Sequence, residues 1–517
     1  MNGALIQLQK RSIQDSYLIQ DPKITFFKTV VKRYTNFAIY NARQQFINPV
    51  KWGTNNFAEI AKLGDLVYKM YIVFELPEIT GNSKGYIGRW TDSIGHSLLS
   101  QVSIELNSTQ VDKHTGEFLE IWSQLTIPPG KTQGYREMIG QTDSLCGSYY
   151  YRRPATIVYV PLQFWFCRNS GLAFPIKAAS RTTMKLLTSF RKFSEVWINT
   201  PDVDSIDNQF DDTSSFELNA YLLIDYIFLD TSESSRFTYG KQEYIIEQLQ
   251  MSLNNSVSNT QDNNYTFQLT QLNNPVKCLF WVFQKESNVN NPENNSEAIG
   301  NQWTNFSAVS YNPRYTIFEA NEQFKDFPNF YPTLEVSNET VLSVDVLSYG
   351  NFSTLEPCVM RDCTLLFDSV ERFPKSPGKY FNCIQTYEAF KNIPISKGIY
   401  VYSFALNSDT FEPCGAYTFS GLNDIRMNFT LNKTIQNNKC IWDKVLSGEN
   451  LIDTYKRAKI APQDSEPDIF NSYVYRNGGY YYESLDDTMT TYNLHVYAMN
   501  LQVLVISNGE SGIKFNS

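Results

Sequence analysis

The chain is poor in histidine, in cysteine pairs, in long apolar runs and in charge, and each shortage removes a class of function. Three histidines stand in 517 residues, His96, His114 and His495, far apart in sequence and without a triad context, so they read as surface or core residues rather than catalytic ones. The 8 cysteines include no Cys-x-x-Cys pair, and the closest two, Cys358 and Cys363, have no histidine near them. Neither a zinc cage nor a secreted disulfide framework fits this usage, and buried free thiols in a reducing compartment are the expectation. No stretch approaches the ~18 apolar residues of a membrane-spanning helix. The opening MNGALIQLQKRSIQ breaks any apolar run with polar and basic residues, so no signal peptide is expected and the cytosol is the expected place of synthesis. Only 19% of residues are charged, and the net charge of -9 gives no support to whole-chain nucleic-acid binding.

Aromatic residues are abundant. They make up 15% of the chain, with 33 Tyr and 35 Phe, a composition suited to strands and able to fill large cores. A chain of this length exceeds one ordinary core, so two or three domains are expected. The charge is also uneven. Residues 1–51 carry eight bases (Lys10, Arg11, Lys23, Lys28, Lys32, Arg33, Arg43, Lys51) against Asp15 and Asp21, a balance of +6 that leaves -15 on the remainder.

Residues 1–24 read as an arm without sustained periodicity. From Asp65 to Leu76 the residues Leu66, Tyr68, Met70, Ile72, Phe74 and Leu76 alternate with polar ones, which predicts a half-buried strand ended by Pro77. Leu98, Val102, Ile104 and Leu106 repeat that pattern. Phe118, Ile121, Trp122 and Leu125 follow helical spacing instead, so one short helix is expected among the strands. VPLQFWF (160–166), LNAYLLIDYIFLD (218–230), VKCLFWVF (276–283), CTLLFDSV (363–370), GIYVYSFAL (398–406) and YNLHVYAMNLQVLVI (492–506) read as further strands. Two of these, 218–230 and 398–406, are apolar on both faces. A strand of that kind in an otherwise polar chain belongs between two packed layers or at a subunit contact. TSESSRFTYGKQ (231–242) is a polar bridge and the best domain boundary, giving a first β domain over 25–230 and a second over 243–517. Inserts at 284–357 and 435–487, rich in polar residues, read as projecting surface, with a helix expected near Leu451 to Ala458.

Motifs with chemical meaning are few. Gly130-Lys131-Thr132 imitates the end of a phosphate-binding loop, but position 125, where the first glycine belongs, is Leu, so a plain turn is expected. Asp202, Asp204 and Asp207 lack the glycine and terminal Glu of a calcium loop and read as part of an acidic loop over 195–217. No spacing singles out a pair of carboxylates for glycoside hydrolysis. No catalytic, cofactor or metal residues are therefore assigned, and no cofactor is expected. Among the Asn-x-Ser/Thr sequons, Asn294, Asn305 and Asn338 in the long insert are expected to be exposed and are the candidate glycan sites.

Five blocks, in order along the chain, resemble the major capsid proteins of nucleocytoplasmic large DNA viruses. They are ALIQLQKRSIQDSYLIQDPKITFFKTVVKRYTNFA (4–38), VPLQFWFCRNSGLAFPI (160–176), LLIDYIFLDTSESSRFTYGKQEYIIEQLQ (222–250), GIYVYSFAL with its Pro413-Cys414-Gly415 turn, and NLHVYAMNLQVLVISNGESGIKF (493–515). The sequence departs from the family pattern at Gly3, where a glycine run is reduced to one, at Cys414, and at Glu233-Ser234-Ser235-Arg236. The resemblance implies an all-β chain of two tandem eight-stranded jelly rolls with long loop insertions and a few short helices. It implies a structural capsid subunit, not an enzyme, that forms a homotrimer. Such pseudo-hexameric capsomers would tile the icosahedral shell of a large double-stranded DNA virus. Implied partners are neighbouring capsomers, minor capsid proteins and an internal membrane met by the basic N-terminal arm, with no direct nucleic acid. The implied location is the virion, after synthesis in the host cytoplasm. The alternative class is a carbohydrate-binding or carbohydrate-active jelly-roll protein, a lectin or glycoside hydrolase, using exposed aromatics such as Trp303 or Trp442.

Overall fold

The alternating segments become strands, and the strands pair in one order twice over. In the first half β1 (Phe37–Gln45), β2 (Asn55–Glu59), β3 (Leu66–Leu76), β4 (Leu99–Leu106), β5 (Thr109–His114), β6 (Thr156–Pro161), β7 (Met184–Phe190) and β8 (Asn219–Leu229) form two sheets, ordered β1-β8-β3-β6 and β2-β7-β4-β5. In the second half β9 (Gln242–Ser258), β10 (Asn264–Gln268), β11 (Pro275–Lys285), β12 (Met360–Phe367), β13 (Val370–Glu371), β14 (Ile399–Ser403), β15 (Ile425–Leu431) and β16 (Thr491–Ser507) give β9-β16-β11-β14 and β10-β15-β12-β13. Adding eight to every strand number of the first half reproduces the second. Each half is an antiparallel eight-stranded double sheet, a jelly roll. The coordinates are a computed structural model that describes residues 2–9, 19, 21–22, 27, 33–80, 89–146, 152–198, 216–258, 264–269, 271–289, 301–306, 310–311, 333–336, 339–343, 359–396, 398–431, 480–481 and 491–515.

Inward-facing residues of the paired sheets fill each roll. Ile72, Phe74, Ile104, Leu186, Leu222 and Ile224 belong to the first core, and Leu279, Trp281, Cys363, Met427, Val496 and Ala498 to the second. The helices are short. Asn2–Gln9 forms α1, a helix where no periodicity was visible; after Asn2 and Gly3 it consists of Ala, Leu, Ile and Gln, mostly good helix formers. Gly116–Thr126 forms α2 at the expected place, its N-terminus capped by Thr115, whose hydroxyl accepts from the Phe118 N–H at 3.3 Å. The polar bridge after residue 230 is not a plain linker: Thr231–Thr238 forms α3. Asp65 ties α3 to the first roll, accepting from Ser234 Oγ at 2.6 Å, Lys177 Nζ at 2.7 Å and the Leu229 N–H at 2.9 Å.

Four strand expectations need correction. The run at 160–166 leaves the sheet at Pro161, which has no N–H for the ladder, and Trp165–Arg168 coils into a helical turn that still buries Trp165 and Phe166. The run at 363–370 folds as a hairpin, because Asp368 and Ser369 take left-handed φ of 48° and 69° between β12 and β13. In β3 a bulge opposite Ile224/Tyr226 shifts the alternation, so Val67 rather than Leu66 or Tyr68 enters the core. The strand at 398–406 stops at Ser403, and Leu406 is 86% exposed. The acidic residues Asp202 to Asp212, the helix expected at 451–458, most of both inserts, and Lys10, Arg11, Lys23, Lys28 and Lys32 lie outside the described residues.

Candidate functional site

The three histidines are buried and do not converge. His96 Nδ1 lies 2.7 Å from Glu120 Oε2 and its Nε2 3.0 Å from the Tyr135 hydroxyl. Burial alone would push the Glu120 carboxyl up, but the His96 hydrogen bond and charge hold it below the usual range. This trio locks α2 to the segment before β4. His114 sits 3.1 Å from Asp112 and stacks on Phe164. His495 lies on the outward side of β16. Burial lowers its pKa, with Glu117 opposing that shift and Arg191 adding to it. Gly130 and Lys131 form a short exposed turn with no strand before it. Among the described residues no group of three His, Cys, Asp or Glu side chains could hold a metal, and the six cysteines there are free. Trp303 is not an exposed glycan platform: its indole N–H donates to the Glu195 carbonyl at 2.7 Å and the Arg191 guanidinium lies 3.7 Å over its ring. Asn305, expected to be exposed, is 4% exposed, and its side-chain amide donates to Gln302 at 2.9 Å. Its neighbours Asn301 and Trp303 are hydrogen-bonded to the first roll, which leaves the Asn305 side chain inside the folded chain. Asn294, Asn338 and Trp442 lie outside the described residues.

The most elaborate constellation is the seam between the rolls. It explains the strand that is apolar on both faces. Tyr400 and Tyr402 of β14 point into the second core, while Ile399 and Val401 point the other way into a separate apolar cluster. That cluster joins Phe118, Ile121, Trp122 and Leu125 of α2 to Leu249, Cys278, Phe280, Val282, Tyr497 and Met499 of the second roll's outward face. The helical stripe and the second-face stripe of 398–406 are thus the two halves of one contact. The strand at 218–230 is covered less completely. Leu222, Ile224 and Tyr226 fill the first core, Ile227 packs near α3, and Phe228 is 39% exposed.

A polar set borders this apolar seam. Glu247 on β9 accepts from Arg168 of the first roll at 2.6 Å and from Lys277 of β11 at 2.6 Å, with all three side chains largely buried. Arg168 also lies 4.4 Å over the Trp122 ring. Such a set costs desolvation when formed, and removing one member leaves the others uncompensated, so it favours one registration of the rolls over neighbouring ones. Arg191 meets Glu117 at 2.5 Å on the other side. Segment 301–306 crosses between the rolls: Asn301 donates to the carbonyls of Ser194 and Trp197 at 2.7 and 2.8 Å. These polar residues were not singled out from sequence. The available signal was Lys277, a charge inside the otherwise apolar run 276–283. The arrangement fixes two sandwiches as one block, and none of these groups faces a reacting centre.

Comparison with known proteins agrees over nearly the whole chain. Residues 25–230 match the family model described as major capsid protein N-terminus, and residues 233–451 the model described as large eukaryotic DNA virus major capsid protein. The chain is 31% identical over 495 residues to the major capsid protein of Phaeocystis pouchetii virus, covering 84% of this chain and 94% of that one. It is 30% identical over 439 residues to the major capsid protein of Paramecium bursaria Chlorella virus 1, covering 83% and 87%. In fold it is similar to a chain in a quasi-atomic model of the PBCV-1 virus capsid, with a TM-score of 0.64 at 24% identity over 95% of this chain and 100% of that one. The Faustovirus major capsid protein gives the same TM-score, 0.64, at 12% identity over 98% and 96%.

Proposed function

The chain belongs to the major capsid protein family of large eukaryotic DNA viruses, and from that premise we propose that three copies form the capsomer that tiles the shell. It is a structural subunit of the virion capsid with a double jelly-roll fold, not an enzyme. The single observation that carries the trimer reading is the seam. Two rolls of identical strand order are held by buried apolar and ionic contacts in one block. Three such blocks present six equivalent sandwiches, a shape that closes on itself and packs hexagonally. The experiment is the mass of the purified chain in solution by light scattering. A particle of three times 59.6 kDa supports the reading. A stable, folded monomer at low micromolar concentration overturns it.

The finer assignments follow the same reading. The basic N-terminal region, +6 over residues 1–51, faces inward toward minor capsid proteins or an anionic membrane. Each base close to such a surface contributes about 1 kcal/mol, fading over a Debye length of ~8 Å. Reversing Lys10, Arg11 and Lys23 to Glu would then impair shell assembly and leave the isolated capsomer intact. The insert at 284–357 supplies outward loops apart from its pinned segment 301–306, with Asn294 and Asn338 as its candidate glycan sites. Limited proteolysis of whole particles should cut there before it cuts the strands. Synthesis takes place in the host cytoplasm.

A further inference from the structure

His495 stands on β16 between Leu494 and Val496, which point into the second core, so its ring points the other way, toward the first roll. The same outward row carries Tyr497 and Met499, both in the apolar cluster that α2 covers. His495 is 5% exposed, and neither ring nitrogen has a hydrogen-bond partner among the described residues. Such a site suits the neutral imidazole. A proton would give the ring a charge and two N–H donors with no acceptor in reach.

Two charges act on this ring, and both come from the first roll: Glu117 at the start of α2 and Arg191 just after β7. They already pair with each other at 2.5 Å. Arg191 is fixed further by the carbonyls of Ser97 and Leu99, at 2.5 and 3.3 Å, and by the Trp303 ring at 3.7 Å. β16 has no charged residue of its own, and on β11 the residue opposite His495 is Val282. The other charges on the packed elements are engaged elsewhere or lie at their ends. Glu120 of α2 meets His96, and Glu247 of β9 meets Arg168 and Lys277. Glu243 of β9 meets Lys241 and Lys514, and the Glu195 carboxylate after β7 accepts from the Lys192 N–H. Lys285 ends β11 and Glu286 follows it. Around a neutral His495 the pocket therefore balances one carboxylate with one guanidinium. A protonated ring leaves two cations to one carboxylate in a dry site, and hydration is the relief.

We propose that His495 makes the seam acid-sensitive: one proton taken up there releases the outward face of β11 and β16 from α2, while both rolls stay folded. The buried ring titrates below 6.5 in the docked form, burial lowering it, Glu117 opposing and Arg191 adding. Above 6.5 the contact is at full strength. It weakens as pH falls below that value, by up to about tenfold for each pH unit, until the docked form is protonated too. His96 works in the other direction. It holds Glu120 ionised at 2.7 Å, so α2 stays locked on the first roll in acid and parts from the second. The device lies inside one chain and operates whether or not copies associate.

The test is thiol labelling of the full-length chain with 4,4′-dithiodipyridine at pH 7.5 and pH 5.5, each rate divided by that of the denatured chain at the same pH. Cys278 lies in the seam cluster and Cys363 in the second core, and both are 0% exposed. Cys278 should lose about tenfold of its protection at pH 5.5, and Cys363 none. His495→Gln and His495→Phe should each abolish that loss. A variant with the wild-type far-UV spectrum that still shows it places the proton elsewhere and overturns the assignment. The wild type alone also decides: equal protection of Cys278 at the two pH values, or an equal loss at Cys363, overturns it without any substitution.

Discussion

Removing Trp122 should loosen the two rolls from each other without emptying either core. The side chain is 4% exposed; its ring lies 6.0 Å from Phe118 and meets Phe280 and Phe390 edge-on at 6.2 and 6.3 Å, with Arg168 over its face. Burying a tryptophan removes roughly 150–250 Å² from water, which at about 25 cal/mol/Å² comes to about 4–6 kcal/mol. Large aromatic truncations in cores cost about 3–5 kcal/mol, so Trp122→Ala is expected to cost that much. The equilibrium between docked and separated rolls then moves by roughly two to three and a half powers of ten. A chain with two cores need not unfold in one step, so the informative readout is the number of transitions. Guanidinium unfolding followed by circular dichroism, with calorimetry alongside, should show the rolls melting together in the wild type and separately in Trp122→Ala. Phe74→Ala, a 0% exposed residue of the first core, serves as the control and should lower the first roll without uncoupling the pair. A Trp122→Ala chain that unfolds in one transition within about 1 kcal/mol of wild type would refute the seam as the source of coupling.

Gly116→Ala would place its Cβ 2.1 Å from the His96 carbonyl oxygen and 2.5 Å from that of Leu99, so a loss of about 1–3 kcal/mol in thermal unfolding is expected. Gly130→Ala, with nothing within 4 Å, should be near neutral in the same assay. Asp65 is buried, which alone would raise its pKa, yet hydrogen bonds from the Leu229 N–H, Lys177 and Ser234 hold it below its ordinary 3.8. Its contribution is therefore full above that value and lost as pH falls through the depressed one. Asp65→Asn should destabilise at pH 7 and progressively match wild type in acid melts. His495 has the opposite consequence. Burial depresses its pKa below 6.5, against Glu117 and with Arg191, so the folded state resists protonation and the chain loses stability as pH drops below 6.5. His495→Leu should flatten that decline by up to about 1.4 kcal/mol per pH unit, and an unchanged slope would put the proton uptake elsewhere. Mass spectrometry of the peptide carrying Asn305 should find no glycan, because the side chain is buried and hydrogen-bonded.

Most of the fold was legible because strands and one amphipathic helix leave periodic marks. Leu66 to Leu76, Val276 to Phe283 and Tyr492 to Ile506 all lie in long strands. The stripe Phe118, Ile121, Trp122 and Leu125 forms the buried side of a helix. What escaped was set by single residues or by tertiary partners. Pro161 ended a strand that its apolar neighbours seemed to continue, and two left-handed residues turned one run into a hairpin. The bulge in β3 opposite Ile224/Tyr226 changed which of its residues face inward, a shift that the alternation of residue types along β3 does not record. At the seam the apolar half was visible as a strand with two greasy faces. The ionic half was not, since Arg168, Glu247 and Lys277 are 79 and 30 residues apart from one another along the chain. Asn305 shows the reverse failure. A polar insert rich in Asn suggested exposure, but Trp303 and Asn301 anchor that short piece to the first roll.

The same structural slot is used in two ways by one chain. Between the fifth and sixth strands each roll inserts a helix. In the first roll that helix is turned onto the second roll, where four apolar side chains are sealed. In the second roll its counterpart leaves Ile384 and Tyr387 in contact with solvent. A monomer that had to persist alone would gain from polar residues at those two positions and at Ile39 and Ile157, because exposed apolar groups invite association. Their retention is intelligible in a protein whose work is to assemble. The first roll's slot spends its apolar surface within the chain, whereas the second roll's slot buries Phe381 and Ala389 and leaves Ile384 and Tyr387 exposed. Duplicating the roll has duplicated the slot but not its use: the helix of the first roll closes a contact inside the chain, and that of the second leaves Ile384 and Tyr387 at the surface.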